Sequence, residues 1–220
     1  MGVSVVTGAN RGIGLELARQ LNARGMSVVA VCRKTSSELD ALGVRVESGC
    51  DVAEPAAWSM LAERLANDDI ELLIQNAGML VADALDNVDP AAVRAQFGLN
   101  AIAPLFLTRA LAPRLRAGAK VVLITSRMGS MGDNGSGGYY GYRMSKAALN
   151  AAGVSLARDL KPRGIAVIML HPGMVRTRMI GGQGMIEAEE SVRGLLLRID
   201  ELGLETTGRF LHQNGDVLPW

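Results

Sequence analysis

The stretch Val3-Ser4-Val5-Val6-Thr7-Gly8-Ala9-Asn10-Arg11-Gly12-Ile13-Gly14-Leu15-Glu16-Leu17-Ala18 decides the fold. Its first residues are a β-branched run and read as a strand. Ile13, Leu17, Ala18 and Leu21 then recur at helical spacing and read as one apolar helix face. Between the two, glycines at 8, 12 and 14 let the backbone turn sharply and approach a ligand closely. A helix N-terminus points unpaired N–H groups outward, and an anionic pyrophosphate fits them. The spacing is G-x-x-x-G-x-G rather than the more familiar G-x-G-x-x-G. Taken alone, these residues also allow a glycine-rich turn that binds nothing.

The pattern repeats outward from this unit. Strands are expected at about 3–6, 27–32, 44–48, 70–75, 119–125, 165–170 and 208–212, with helices at about 13–24, 55–67, 90–116, 140–160 and 187–200. Most strand runs are continuously apolar (Val28-Val29-Ala30-Val31, Val121-Val122-Leu123-Ile124), as in strands buried on both faces. Asp89-Pro90 reads as an N-cap with a first-turn proline, and Gly25, Gly118 and Gly164 as left-handed helix ends. Alternating strands and helices imply right-handed crossovers. The expectation is one α/β domain over residues 1–220. It is a Rossmann-type, doubly wound, mostly parallel sheet of about seven strands with helices on both faces.

Composition narrows the function classes. The 220 residues are 49% hydrophobic and 20% charged, with a net charge of +1. That is a globular composition, and the scattered Lys and Arg give no basic face for nucleic acid. Apolar runs are strand-length, so no membrane span is expected. No signal peptide is expected before a strand that begins at Val3, and Val6 stands where a myristoylation motif wants Ser or Thr. Cys32 and Cys50 fall in or beside strands, form no C-x-x-C pair, and read as buried free thiols of a cytoplasmic protein. No metal site is expected.

Ligands of an open α/β sheet bind beyond the carboxyl ends of its strands. Those ends carry the glycine turn, then Arg33-Lys34, Asp51-Val52, Asn76-Ala77-Gly78, Thr125-Ser126 and His171-Pro172-Gly173. Arg33 lies where a dinucleotide site meets the adenosine ribose, a place where an NAD site typically has a carboxylate. Together with Arg11 it would suit a 2′-phosphate, which reads as NADP(H). A pair of solvated surface arginines is the alternative. Tyr142 and Lys146 stand at i and i+4 in a predicted helix. An ammonium so close to a phenol is expected to lower its pKa below the usual ~10.

Taken together, these residues resemble the short-chain dehydrogenase/reductase family. That family carries T-G-x-x-x-G-x-G, N-A-G, a helix Asn, a Ser and Y-x-x-x-K in this order. Here they are Thr7–Gly14, Asn76-Ala77-Gly78, Asn100, Ser126 and Tyr142…Lys146, with Pro172–Thr177 after the sixth strand. The segment Gly137–Lys146 and the ending Leu218-Pro219-Trp220 look closest to the C-factor/sniffer-like carbonyl reductase branch.

The resemblance implies hydride exchange between NADP(H) and a small carbonyl or alcohol. Tyr142 would be the acid or base, and Lys146 would tune it and hold the nicotinamide ribose. Ser126 would bind the substrate oxygen, and Asn100 would order the helix and a water near Lys146. Gly8, Asn10, Arg11, Gly12, Ile13, Gly14, Arg33, Asp51, Val52, Asn76, Ala77, Gly78, Pro172, Gly173, Met174, Val175 and Thr177 would line the cofactor. Helices near 90–116 and 140–160 would pair subunits into a homodimer or homotetramer.

Two departures from the family pattern stand out. Ser126 precedes Tyr142 by sixteen positions where many members have thirteen, and position 129 is Gly, so Ser130 stays open as the substrate serine. The segment between Thr177 and Glu187, where larger relatives build a lid, is short and glycine-rich and is expected to be mobile. Met128, Met131, Met174, Met179 and Met185 suggest an adaptable apolar pocket wall, with core filling as the alternative. A second function class is an NADP(H)-binding signalling or sensor protein with little turnover. The intact Ser126, Tyr142 and Lys146 argue against it.

Overall fold

The computed structural model describes residues 2–220. Seven strands form one parallel sheet in the order β3-β2-β1-β4-β5-β6-β7. They are β1 (Val3–Thr7), β2 (Ser27–Val31), β3 (Arg45–Glu47), β4 (Ile70–Gln75), β5 (Leu115–Ile124), β6 (Ala166–His171) and β7 (Phe210–His212). The helices are α1 (Gly12–Ala23), α2 (Ser37–Asp40), α3 (Pro55–Arg64), α4 (Pro90–Phe97), α5 (Ala103–Leu111), α6 (Tyr140–Leu160) and α7 (Ala188–Asp200).

Two cores explain the continuous apolar runs. Val5, Val121, Leu123, Val167 and Met169 face Leu61, Leu107, Leu111 and Leu149 of α3, α5 and α6. Their neighbours Val6, Val122, Ile124, Ile168 and Leu170 face Leu17, Leu21, Val192, Leu195 and Ile199 of α1 and α7. Successive strand residues point to opposite faces, so a sheet covered on both sides needs apolar residues at every position. Each such side chain contributes about 1.5–3 kcal/mol when fully buried.

The helix expected over 90–116 is broken twice, and prolines account for both breaks. Asp89 caps α4 as expected, accepting from Ala91 N at 3.0 Å and Ala92 N at 3.2 Å. A π-helical turn over Gly98–Ile102 then interrupts the helix before α5. Pro104 has no N–H to give the Asn100 carbonyl four residues back, which favours the wider turn. Pro113 ends the run in a 3-10 turn over Ala112–Arg114.

Strand β5 begins earlier than expected, at Leu115, but its pairing with β4 jumps from Ile70↔Leu115 to Leu72↔Lys120. Gly118 takes φ 86° inside that irregular stretch, so it turns a strand and does not end a helix.

Candidate active site

The glycine turn is built around two polar side chains. The Thr7 hydroxyl accepts from the N–H groups of Asn76 at 2.9 Å and Ala77 at 3.0 Å. The Asn76 amide donates to the carbonyls of Thr7 at 2.9 Å and Gly8 at 3.3 Å. Strand ends β1 and β4 are thereby joined. Position 14 must be glycine because a Cβ there would stand 2.2 Å from the Gly8 oxygen.

Helix α1 has no side-chain cap and no acidic residue in its first turn. Its first N–H groups therefore face outward unspent. That is a cradle for an anion, and it fits the pyrophosphate of a dinucleotide.

On the adenosine side, Asn10 donates to the Lys34 carbonyl at 2.8 Å and ties the turn to the end of β2. Arg11, Arg33 and Lys34 are exposed. Arg33 has an acidic neighbour. Its guanidinium lies 3.5 Å from the Asp51 carboxylate. Both groups are well exposed, so the pair holds with only about 0–1 kcal/mol. Val52 is buried, and its carbonyl accepts from the Trp58 indole at 2.9 Å.

The chemistry-bearing groups lie on α6 and around the ends of β4 and β5. Asn100, fully buried in the π turn, receives Met79 N at 2.9 Å and donates to Met79 O at 2.9 Å and Ser145 Oγ at 3.0 Å. Ser145 in turn donates to the Tyr142 carbonyl at 2.8 Å. Gly78 sits where a Cβ would be 3.2 Å from Asn100 Oδ1 and 3.8 Å from Lys146 Nζ. Lys146 is buried, donates to the Ile124 carbonyl at 2.9 Å, and holds its Nζ 5.8 Å from the centre of the Tyr142 ring.

Of the two candidate serines, Ser126 is the one near enough to the phenol to favour the phenolate, and its hydroxyl accepts from Met128 N at 3.1 Å. Ser130 is turned into its own loop, where it accepts from Asp133 N at 3.1 Å. Glycine at 129 has a steric cause, since a Cβ there would stand 2.7 Å from the Lys146 carbonyl carbon.

Electrostatics differ from the sequence expectation. The Tyr142 phenol is pushed up to about 12, not down, because burial disfavours the phenolate more than the nearby Ser126 hydroxyl favours it. Burial also brings Lys146 down to about 8. The i, i+4 spacing implies attraction between the two, but it carries no information on how dry the site is.

Pro172–Thr177 closes the other side. Thr177 Cγ2 stands 3.4 Å from where a Cβ of Gly12 would be, so this loop reaches the glycine turn. Val175 is buried. The short glycine-rich segment after Thr177 folds back against the loop that precedes it. Met174 O accepts from Met185 N at 2.6 Å, Gly182 donates to Thr177 O at 2.9 Å, and Arg176 holds Gly184 O at 3.0 Å. Met131, Met174, Met179 and Met185 are exposed.

Sequence reasoning missed Asp83, Gln96, Ser145 and the side chain of His171. His171 and His212 end paired strands with ring centres 5.1 Å apart. Burial, then His212, Arg127 and Lys146, depress His171 to about 3, so its ring is neutral. Ser145 was readable, since it lies at i+3 from Tyr142 on the same face. Asp83 and Gln96 had no local signal. Cys32 and Cys50 are buried free thiols. Burial raises both, Cys50 to about 11. Among the described residues no group of side chains could hold a metal, and no helix is long and apolar enough to cross a membrane.

Comparison with known proteins identifies the family. The short chain dehydrogenase family profile matches residues 2–185. The 1-hydroxy-2-glutathionyl-2-methyl-3-butene dehydrogenase of Rhodococcus sp. (strain AD45) is 40% identical over 226 residues, covering 100% of both chains. The C-signal of Myxococcus xanthus is 45% identical over 162 residues, covering 72% of this chain and 98% of its own. NADPH-bound carbonyl reductase from chicken fatty liver superposes with a TM-score of 0.90 at 32% identity over 100% of both chains.

Proposed function

This chain belongs to the short-chain dehydrogenase/reductase family, and from that premise we propose that it is an NADPH-dependent reductase of ketones or aldehydes, acting through Tyr142. The observation that carries this reading is the meeting of Tyr142, Ser126 and Lys146 at one dry corner beside an uncapped glycine turn. NADP(H), when bound, supplies or receives the hydride.

The chain's own groups do the rest. Ser126 and Tyr142 form a donor pair for the substrate oxygen, and Tyr142 transfers the proton as that oxygen gains charge. Lys146, fixed by the Ile124 carbonyl, holds the ribose and places a positive charge near the phenol. Asn100 and Ser145 hold the turn of α6 that carries Tyr142. Arg11 and Arg33 meet the 2′-phosphate. Steady-state oxidation of NADPH against a panel of aldehydes and ketones tests the whole reading. A parent protein that binds NADPH but turns over none of them would favour the sensor class instead.

The pKa directions set a pH dependence. A phenol near 12 keeps its proton at neutral pH, so the acid needed for reduction is present throughout pH 6–8. Lys146 loses its charge as pH rises through about 8. Carbonyl reduction is therefore expected to stay flat to about pH 8 and fall above it. Alcohol oxidation needs the phenolate and should rise with pH over the same range. Rate–pH profiles in both directions check this, and a reduction rate that climbs with pH would overturn it.

Exposed Ile102, Leu105 and Met144 on the π turn, α5 and α6 support self-association through these helices. Light scattering at micromolar concentration should give a dimer or tetramer mass, and a strict monomer would refute this.

A further inference from the structure

Residues 79–83 lie between the Asn76-Ala77-Gly78 turn and α4, and two buried amides, Gln96 of α4 and Asn100 of the π turn, hold their backbone. Asn100 takes both backbone groups of Met79, and Gln96 Oε1 accepts from Val81 N at 3.0 Å. Asp83 then reaches α6. Its carbonyl accepts from Tyr139 N at 2.9 Å, and its carboxylate accepts from Tyr140 N at 2.5 Å and Gly141 N at 3.2 Å. These are the first donors of the helix that carries Tyr142.

The residue before α6 provides no side-chain cap of its own. The cap comes from 57 positions earlier in the chain. Tyr139 is the one non-glycine residue with positive φ, 53°, among the described residues. A bulky side chain in that region is strained and persists only where its surroundings hold it. The helix start is also packed tightly, since a Cβ on Gly141 would stand 2.4 Å from Gln96 Nε2.

We propose that Asp83 is a positioning residue for the reaction. It fixes the register and tilt of the first turn of α6, and so the place of the Tyr142 phenol relative to the Asn76–Gly78 side of the cofactor site. The inference rests on Tyr142 being the proton donor. A phenol carried on a frayed turn loses its alignment with the substrate oxygen while the glycine turn, Asn76 and Lys146 keep their own supports. Small misplacements of a reacting group cost rate rather than cofactor affinity.

The test compares Asp83→Ala and Asp83→Asn with Asp89→Ala, which removes a cap of the same kind from α4. Asp83→Ala is expected to lower kcat for carbonyl reduction about tenfold with KM for NADPH within about twofold of the parent. Asp83→Asn keeps an acceptor at the helix start and should recover most of that kcat. Asp89→Ala should lower Tm about as much as Asp83→Ala does and leave kcat unchanged. Parental kcat in Asp83→Ala, or an equal kcat loss in Asp89→Ala, would overturn the assignment. Amide hydrogen exchange separates this inference from the reading beneath it. A parent without carbonyl turnover sinks that reading, whereas unchanged protection over residues 139–143 in Asp83→Ala sinks the tether.

Discussion

Tyr142→Phe should reduce carbonyl turnover by about 10²-fold or more, with NADPH affinity and Tm close to the parent's. Phenylalanine keeps the ring in a buried place and deletes the hydroxyl beside Ser126. The fold has little reason to respond, because Tyr142 is anchored through its carbonyl to Ser145 and not through its phenol. Lys146→Met should lose both rate and cofactor affinity, and it leaves the Ile124 carbonyl without its donor. Tyr139 and Tyr140 are an internal control, since both are half-exposed whereas Tyr142 is buried. Full activity in Tyr142→Phe would make a neighbouring tyrosine the acid or remove the enzyme reading altogether.

Arg33→Asp is expected to weaken NADPH binding ten- to a hundredfold or more and to move preference toward NADH. A hydrogen bond to a charged group contributes about 1.5–3 kcal/mol, and 1.4 kcal/mol is a factor of ten. The new carboxylate would repel a 2′-phosphate and accept from ribose hydroxyls instead. It would also face Asp51, the residue Arg33 now meets at 3.5 Å, so two like charges would share the adenosine rim. Titration of both cofactors into parent and variant decides the matter. Equal parental affinity for NADH and NADPH would refute the role given to Arg33.

Much of this was readable because it is local. The glycine turn, the strand runs and the Tyr142–Lys146 spacing each sit within a few residues and follow from backbone geometry alone. The break at Gly98–Ile102 was also local, for Pro104 stands in plain sight, but the apolar pattern continues across it and masks the missing donor. Other features depend on residues far apart. Asp83 meets α6 across 57 positions and Asn100 meets Ser145 across 45, and no periodicity announces either contact. The direction of the Tyr142 shift was misread for the same reason. Spacing reveals a neighbour's charge, whereas burial is a property of the assembled site.

The position of β1 inside the sheet, between β2 and β4, bears on how the protein is made. Val3 pairs with Ser27 on one side, but its other neighbour is Ile70, and the Thr7 hydroxyl finds the Ile74 carbonyl 67 positions further along the chain. At ribosomal speeds of about 5–20 residues per second, that strand waits roughly 3–13 s for its second partner to be synthesised. Until then one apolar edge of the nascent β1–β3 unit is open to mispairing. Closing it is a long-range parallel pairing, the slow kind of folding event. The glycine turn and the Asn76 amide meet at this last seam. A ligand held at the glycine turn would add its binding energy to the folded side of this joint alone, since the unfolded chain has no such turn.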